Sequence, residues 1–297
     1  LKILAILSIA AVIAALSTAS GQGYNATEDD WFKKALDAYS KGSFEVTLFC
    51  TESAIELNAN NSTFWSLKGV ALQRLGKNQE AMESFNKSIS LKPDDPVVWR
   101  NKGSAFEAQG MLDEALSAYT HSTELDPEYV SAWIAKGKVL DEMRRYEDAM
   151  KSYDIALEHD PTSADAWNSK GVSAMFLGRY DQAITYYDRA VQYDPNFTAA
   201  WANEGMAFLQ KYQISEAMNC FEQALRIDPK FAPAWNDKGS ALLYQKKYSD
   251  ALICFEMAIE YSPGYGVAWK NKGKALSALG RSEEARAAAS RAAELGA

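Results

Sequence analysis

Residues 167–200 read WNSKGVSAMFLGRYDQAITYYDRAVQYDPNFTAA, and residues 201–234 read WANEGMAFLQKYQISEAMNCFEQALRIDPKFAPA. Both segments begin on Trp and place Gly four residues on (Gly171, Gly205), Ala sixteen on (Ala183, Ala217), an aromatic twenty on (Tyr187, Phe221) and Pro twenty-eight on (Pro195, Pro229). The same spacing extends in both directions and takes in all 8 tryptophans: Trp31, Trp65, Trp99, Trp133, Trp167, Trp201, Trp235 and Trp269, each 34 residues after the last. A fixed period of this length marks a repeat array, in which each unit buries its apolar face only by stacking on its neighbours.

Counted from the Trp, positions 0, +4 and +7 (Trp65, Gly69, Leu72; Trp99, Gly103, Phe106) lie on one face of a first helix. A mid-helix Gly costs about 1 kcal/mol relative to Ala, so its recurrence at +4 implies a close approach by a second helix, whose small residues recur at +16. Gly42, Gly76, Gly110, Gly178 and Gly280 fall where the first helix should stop. Acidic residues such as Glu80, Glu114, Glu147, Asp181 and Glu216 open the second helix, at the end where the macrodipole favours negative charge. Asp-Pro at 126–127, 160–161, 194–195 and 228–229 ends the hairpin, since proline cannot continue a helix.

Trp, Gly, Ala, aromatic and Pro in this order and spacing resemble the tetratricopeptide repeat family. The resemblance covers residues 28–297 and implies an all-α, right-handed superhelical solenoid of eight tandem 34-residue helix-turn-helix repeats, bounded at 28–61, 62–95, 96–129, 130–163, 164–197, 198–231, 232–265 and 266–297. One departure is systematic. Where the family carries an apolar residue before the Gly, seven repeats carry lysine (Lys34, Lys68, Lys102, Lys136, Lys170, Lys238, Lys272), and the sixth carries Glu204. A lysine stem can cover apolar surface while its charge reaches water. This W-x-x-K-G variant is similar to that of secreted archaeal and bacterial members. The terminal repeats depart further: the first has Ala35, Thr47 and Ala59 in place of Gly, Ala and Pro, and the eighth has Ala289 in place of the aromatic. Reduced apolar content is what an outward-facing terminal repeat requires.

Residues 3–16, ILAILSIAAVIAAL, follow Lys2 and precede the small residues Ser17, Thr18 and Ala19. This is the layout of a secretory signal over residues 1–19; an uncleaved membrane anchor is the alternative, although it would want about 20 apolar residues. Residues 20–27 read as a linker. The expected location is therefore extracellular or at the cell surface, with membrane contact only through the N-terminal segment if it stays in place. The formal charge of −8 and pI near 5.0 argue against nucleic acid as a partner.

No catalytic residues, cofactor or metal site are expected. His121 and His159 stand in different registers with no metal-type spacing, and no phosphate loop or nucleophile motif occurs. Cys50, Cys220 and Cys254 all stand at +19 and read as small packing residues. Five N-x-S/T sequons, at Asn25, Asn60, Asn61, Asn86 and Asn196, are glycosylation candidates in a secreted chain.

Beside the 0/+4/+7 face runs a stripe at +1, +5, +8 and +9, which varies between repeats. In tetratricopeptide repeat proteins this stripe and +2 line the concave groove that receives a partner, so the resemblance implies a binding surface here. Repeats two to four make it polar (Gln73, Arg74, Arg100, Glu107), and repeats five to seven make it apolar and Met-rich (Met175, Phe176, Met206, Leu209, Leu243, Tyr244). Exposed apolar patches of this kind mark protein-binding sites, with packing between helices as the competing explanation. Asn101, Asn168, Asn203, Asn236 and Asn271 recur at +1 or +2 and form a ladder of amides able to hold a peptide backbone. The functional expectation is a monomeric, non-catalytic scaffold that binds a protein or peptide. A self-assembling cell-surface solenoid is the alternative.

Overall fold

Sixteen helices and no strand occupy the described residues, 26–297, of this computed structural model. They fall into two compact units, one ending at Arg144 and one beginning at Arg145. The first holds α1 (Glu28–Ser40), α2 (Phe44–Leu57), α3 (Ser62–Arg74), α4 (Asn78–Leu91), α5 (Pro96–Glu107), α6 (Leu112–Leu125) and α7 (Val130–Glu142). The second holds α8 (Tyr146–His159), α9 (Ala164–Phe176), α10 (Tyr180–Tyr193), α11 (Thr198–Gln210), α12 (Ile214–Ile227), α13 (Ala232–Tyr244), α14 (Tyr248–Tyr261), α15 (Gly266–Ala278) and α16 (Ser282–Glu294). The sequence gives no sign of this division, because the Trp period runs through it. Residues 1–19, most of the linker at 20–27 and Asn25 lie outside the described residues.

The two helices of each hairpin start by different means. Several of the odd-numbered helices are capped by side chains: Thr27 forms a capping box with Asp30 at α1, and Asn61, Asp95 and Ser163 cap α3, α5 and α9. None of the even-numbered helices has a side-chain cap. Each instead carries one or two carboxylates in its first turn, from Glu45 in α2 to Glu283 and Glu284 in α16, set against the partial positive charge there.

The turn within each hairpin needs a left-handed residue at +11. Gly42, Gly76, Gly110, Gly178 and Gly280 supply it with φ of 71–76°, and Arg144, Tyr212 and Lys246 adopt it at 58–59° despite carrying a Cβ. Between hairpins the Asp of Asp-Pro does more than precede a helix breaker. Asp126, Asp160, Asp194 and Asp228 each accept, through Oδ1, the N–H two residues on at 2.9–3.0 Å, forming an Asx turn.

The +4 glycines make room for a ring. A Cβ on Gly69, Gly103, Gly171, Gly205 or Gly239 would lie 2.5–2.6 Å from Cε1 of Phe85, Tyr119, Tyr187, Phe221 or Phe255, the +20 residue of the same hairpin. The close approach expected of a second helix backbone is thus mainly an approach by its aromatic side chain, and each of these rings is 0–1% exposed. The tryptophans are only half-buried. From Trp65 to Trp269, each indole Nε1 donates to the carbonyl six residues before it, that of Ala59 or of the repeat's Pro, at 2.8–3.0 Å. The Trp therefore ties each inter-repeat turn to the helix that follows.

The seven +3 lysines differ from expectation. Each ammonium lies 4.9–5.9 Å from the centroid of its own repeat's Trp ring. Lys68, Lys238 and Lys272 also pair with Glu52, Glu222 and Glu256 at 2.9–3.0 Å, and Lys170 pairs with Asp154. These charges are held against the protein, and Lys170 is 8% exposed.

Candidate functional site

In the second unit the structure sorts the apolar stripe by depth. Phe176 and Tyr244, both at +9, are 65% and 58% exposed. Met175, Met206 and Leu243 are half-buried, packed against the clusters around Tyr187, Phe221 and Phe255. Leu209 is 4% exposed and belongs to the core with Ala217, Phe221 and Ala241, which removes it from the expected binding surface. The reason is register: +8 borders the +4/+7 face, so an apolar residue there is drawn inward.

Two rings that the repeat pattern does not point to adjoin the exposed ones, Tyr146 half-buried and Tyr212 exposed. Tyr146, at the start of α8, stacks on Phe176 with centroids 4.9 Å apart and planes 4° from parallel. Tyr212 sits at the left-handed turn position, is 73% exposed, and meets Tyr244 edge-on at 5.7 Å. A Tyr where five repeats have Gly was the available signal. Of these four rings Phe176, Tyr212 and Tyr244 are exposed, and such rings offer large, stiff apolar area to a partner.

The asparagines pair with each other. Asn203 Nδ2 donates to Asn168 Oδ1, and Asn271 Nδ2 donates to Asn236 Oδ1, each at 2.9 Å. Each pair joins the +1 residue of one repeat to the +2 residue of the next. Asn236 also donates to Asp237, Asn271 accepts from Lys274, and both asparagines are buried (3% and 8% exposed). These two serve the joint between repeats instead of facing a ligand. Asn168 and Asn203 are half-buried, as is Asn101, whose Oδ1 accepts from Arg100 Nη1 at 3.3 Å.

The first unit carries a cleft of about 650 Å³ on the same stripe. Ten of its thirteen lining residues occupy +1, +5, +8 or +9, among them Phe32, Leu36, Tyr39, Val70, Gln73, Arg74, Arg100 and Ser104. The residues from α1 make one end apolar and were absent from the sequence expectation, which began the stripe at the second repeat. The other end is polar: Gln73 Nε2 donates to Ser104 Oγ at 3.0 Å, and Arg100 Nε is buried without a hydrogen-bond partner. The Tyr119 hydroxyl donates to Glu107 Oε2 at 2.6 Å, and burial together with this bond pushes its pKa far above the usual value, so it stays a donor.

The remaining candidates sort plainly. Cys50, Cys220 and Cys254 are buried free thiols with raised pKa values, Cys254 at about 11, chiefly from burial. His121 lies edge-on against Trp99 at 4.3 Å, and His159 is exposed. Asn60, Asn86 and Asn196 are exposed, while Asn61 is half-buried with its side chain engaged in the α3 cap. Among the described residues no group of three or more His, Cys, Asp or Glu is placed to hold a metal, and no helix is long and apolar enough to cross a membrane.

Tetratricopeptide repeat models match residues 62–95, 100–164, 134–196, 177–241 and 236–297. No curated protein matches by sequence. Among solved structures, the chain is similar to a tetratricopeptide repeat protein from Parabacteroides merdae (19% identity, TM-score 0.66, covering 84% of this chain and 98% of that one). It is also similar to YrrB, described as a tetratricopeptide repeat protein with an unusual peptide-binding site (26% identity, TM-score 0.50, 63% of this chain and 96% of that one). A third likeness is to PilW, described as a type IV pilus biogenesis factor (20% identity, TM-score 0.60, 65% of this chain and 90% of that one).

Proposed function

Because the chain belongs to the tetratricopeptide repeat family, a family of protein-interaction scaffolds, we propose that it is a non-catalytic scaffold that holds a peptide segment or partner helix on the +1/+5/+8/+9 stripe. The observation that carries this reading is that a stripe whose residues vary between repeats is also open: it lines the cleft of the first unit and bears Phe176 and Tyr244 on the second. The two ends of the cleft suit a segment with an apolar residue at Phe32, Leu36 and Tyr39 and a carboxylate or carbonyl at Arg74 and Arg100. On the second unit, the ring pairs Tyr146–Phe176 and Tyr212–Tyr244 suit apolar anchors of a partner. The likeness to YrrB, described as having a peptide-binding site, supports a peptide ligand.

We place the scaffold outside the cytoplasm, as a monomer secreted or held by its N-terminal segment, on the strength of the apolar stretch at residues 3–16. The double substitution Phe176→Ala with Tyr244→Ala tests the surface. It should leave helix content by circular dichroism unchanged and remove partners that co-purify with the wild-type chain from its source cells. Undiminished co-purification by the folded double variant would sink the assignment.

A further inference from the structure

The sixth repeat keeps the seat of the +3 lysine and lacks the lysine. In each of the other seven repeats an ammonium lies over the Trp ring. In four of them it also reaches the carboxylate at +21 of the preceding repeat: Glu52, Asp154, Glu222 or Glu256. The sixth repeat has the ring, Trp201, and the +21 carboxylate, Asp188, but carries Glu204 at +3. Two carboxyl groups therefore face each other where the rest of the array places a cation.

Glu204 is 3% exposed, and no amide, amine or hydroxyl donor reaches its buried Oε2. Its neighbours on the packed helices are Asp188 from α10 and Cys220 from α12, with Glu216 of α12 also facing the thiol. None of these is cationic, and no described lysine or arginine pairs with Asp188 or Glu204. Burial and then the bond to Asp188 push the Glu204 carboxyl up to about 8, so near neutral pH the pair holds a proton in place of the missing ammonium. Asp188 stays exposed and leaves the site open toward solvent on that side.

We propose that Trp201, Asp188 and Glu204 form a receptor for an alkylammonium group from outside the chain, chiefly the side chain of a lysine on a bound protein. The ammonium enters past Asp188, lies against the Trp201 face and is held by both carboxylates. The shared proton passes from the carboxyl oxygen to water as it enters, and no other bond is made or broken. Only the source of the lysine rests on the scaffold reading. The site itself lies off the stripe, at 0 and +3, so the substitutions at Phe176 and Tyr244 leave it intact.

The test follows the Trp201 indole N–H signal of the full chain by nitrogen–proton correlation spectroscopy, assigned by its loss in Trp201→Phe. Titration with n-butylammonium chloride should give a saturable shift, and sodium chloride at equal ionic strength should not. Affinity should be about tenfold tighter at pH 9 than at pH 7, since only the unprotonated pair is competent. Asp188→Asn should weaken binding at least about tenfold, the loss of one of two charged contacts. Glu204→Lys should abolish it by refilling the seat from within. Tighter binding of a capped Gly-Lys-Gly peptide than of spermidine assigns the site to a partner's lysine; the reverse order assigns it to a free amine. No shift with n-butylammonium, an equal shift with calcium chloride, or full binding by Asp188→Asn overturns the proposal.

Discussion

Gly239 and Gly273 occupy the same repeat position and should respond to alanine with opposite signs. A Cβ on Gly239 would stand 2.6 Å from Cε1 of Phe255 and 2.9 Å from its Cδ1 and Cζ. Carbon atoms prefer about 3.5–4.0 Å, so the overlap approaches 1 Å at three ring atoms. The ring has nowhere to go, being 0% exposed and enclosed by Leu242, Ala251, Ala275 and Leu276. Overpacking of this kind costs about 1–3 kcal/mol, against which the better helix propensity of Ala returns about 1 kcal/mol. Gly239→Ala should therefore lose up to about 2 kcal/mol by that difference. At Gly273 the +20 residue is Ala289, and the nearest atom to a new Cβ is the Ala285 carbonyl oxygen at 3.4 Å. Only the propensity term remains, so Gly273→Ala should gain about 0.5–1 kcal/mol. Urea unfolding of the full chain followed by circular dichroism, with exchange of the α13–α16 amides, reads both. Placing Gly239→Ala in a Phe255→Ala background should turn its cost into a gain. Equal losses at both glycines, or an unchanged cost in that background, would refute the ring-clearance argument.

Two other expectations follow from the same packing. Glu204, raised to about 8, and Asp237, raised to about 7 chiefly by burial, both favour the folded state when protonated. Their contribution is complete below the unfolded carboxylate range and fades as pH rises through 7–8, so thermal stability should fall from pH 5 to 9; Glu204→Gln and Asp237→Asn should each flatten that fall, and an unchanged slope in both would contradict the assignment. Trp235→Phe keeps most of the ring and removes the 2.9 Å bond to the Pro229 carbonyl. It should cost about 0.5–1.5 kcal/mol in chemical denaturation and leave partner capture unchanged.

The scaffold was legible because the period forces the same residue type into the same environment six to eight times. Trp, Gly, Ala and Pro each return at a fixed offset, and the helices follow. What those residues touch was less legible. The bond from six of the indoles to a proline carbonyl joins positions 0 and −6 through a turn, shaped in four cases by an Asx bond, and no helical periodicity reports that. The lysines at +3 look solvated when read along one helix; the carboxylate partners of Lys68, Lys170, Lys238 and Lys272 sit at +21 of the preceding repeat, visible only once hairpins are stacked. The stripe was half legible. Its offsets located Phe176 and Tyr244 correctly as open residues, but depth within it turns on which neighbours lean over each position, so Leu209, Asn236 and Asn271 proved buried. The cleft residues Phe32, Leu36 and Tyr39 follow the same offsets, in a repeat whose other positions depart from the pattern.

The central claim is that partners meet the variable stripe and not the scaffold. It is tested most directly by photo-crosslinking in the source cells, with a benzophenone amino acid placed singly at Phe176, Tyr244 or Ile253. All three are apolar, in the second unit and 57–65% exposed, but Ile253 lies on α14, away from the stripe. The account predicts the same discrete adduct from positions 176 and 244 and none from 253. An adduct from 253 alone, or equal adducts from all three, would contradict it.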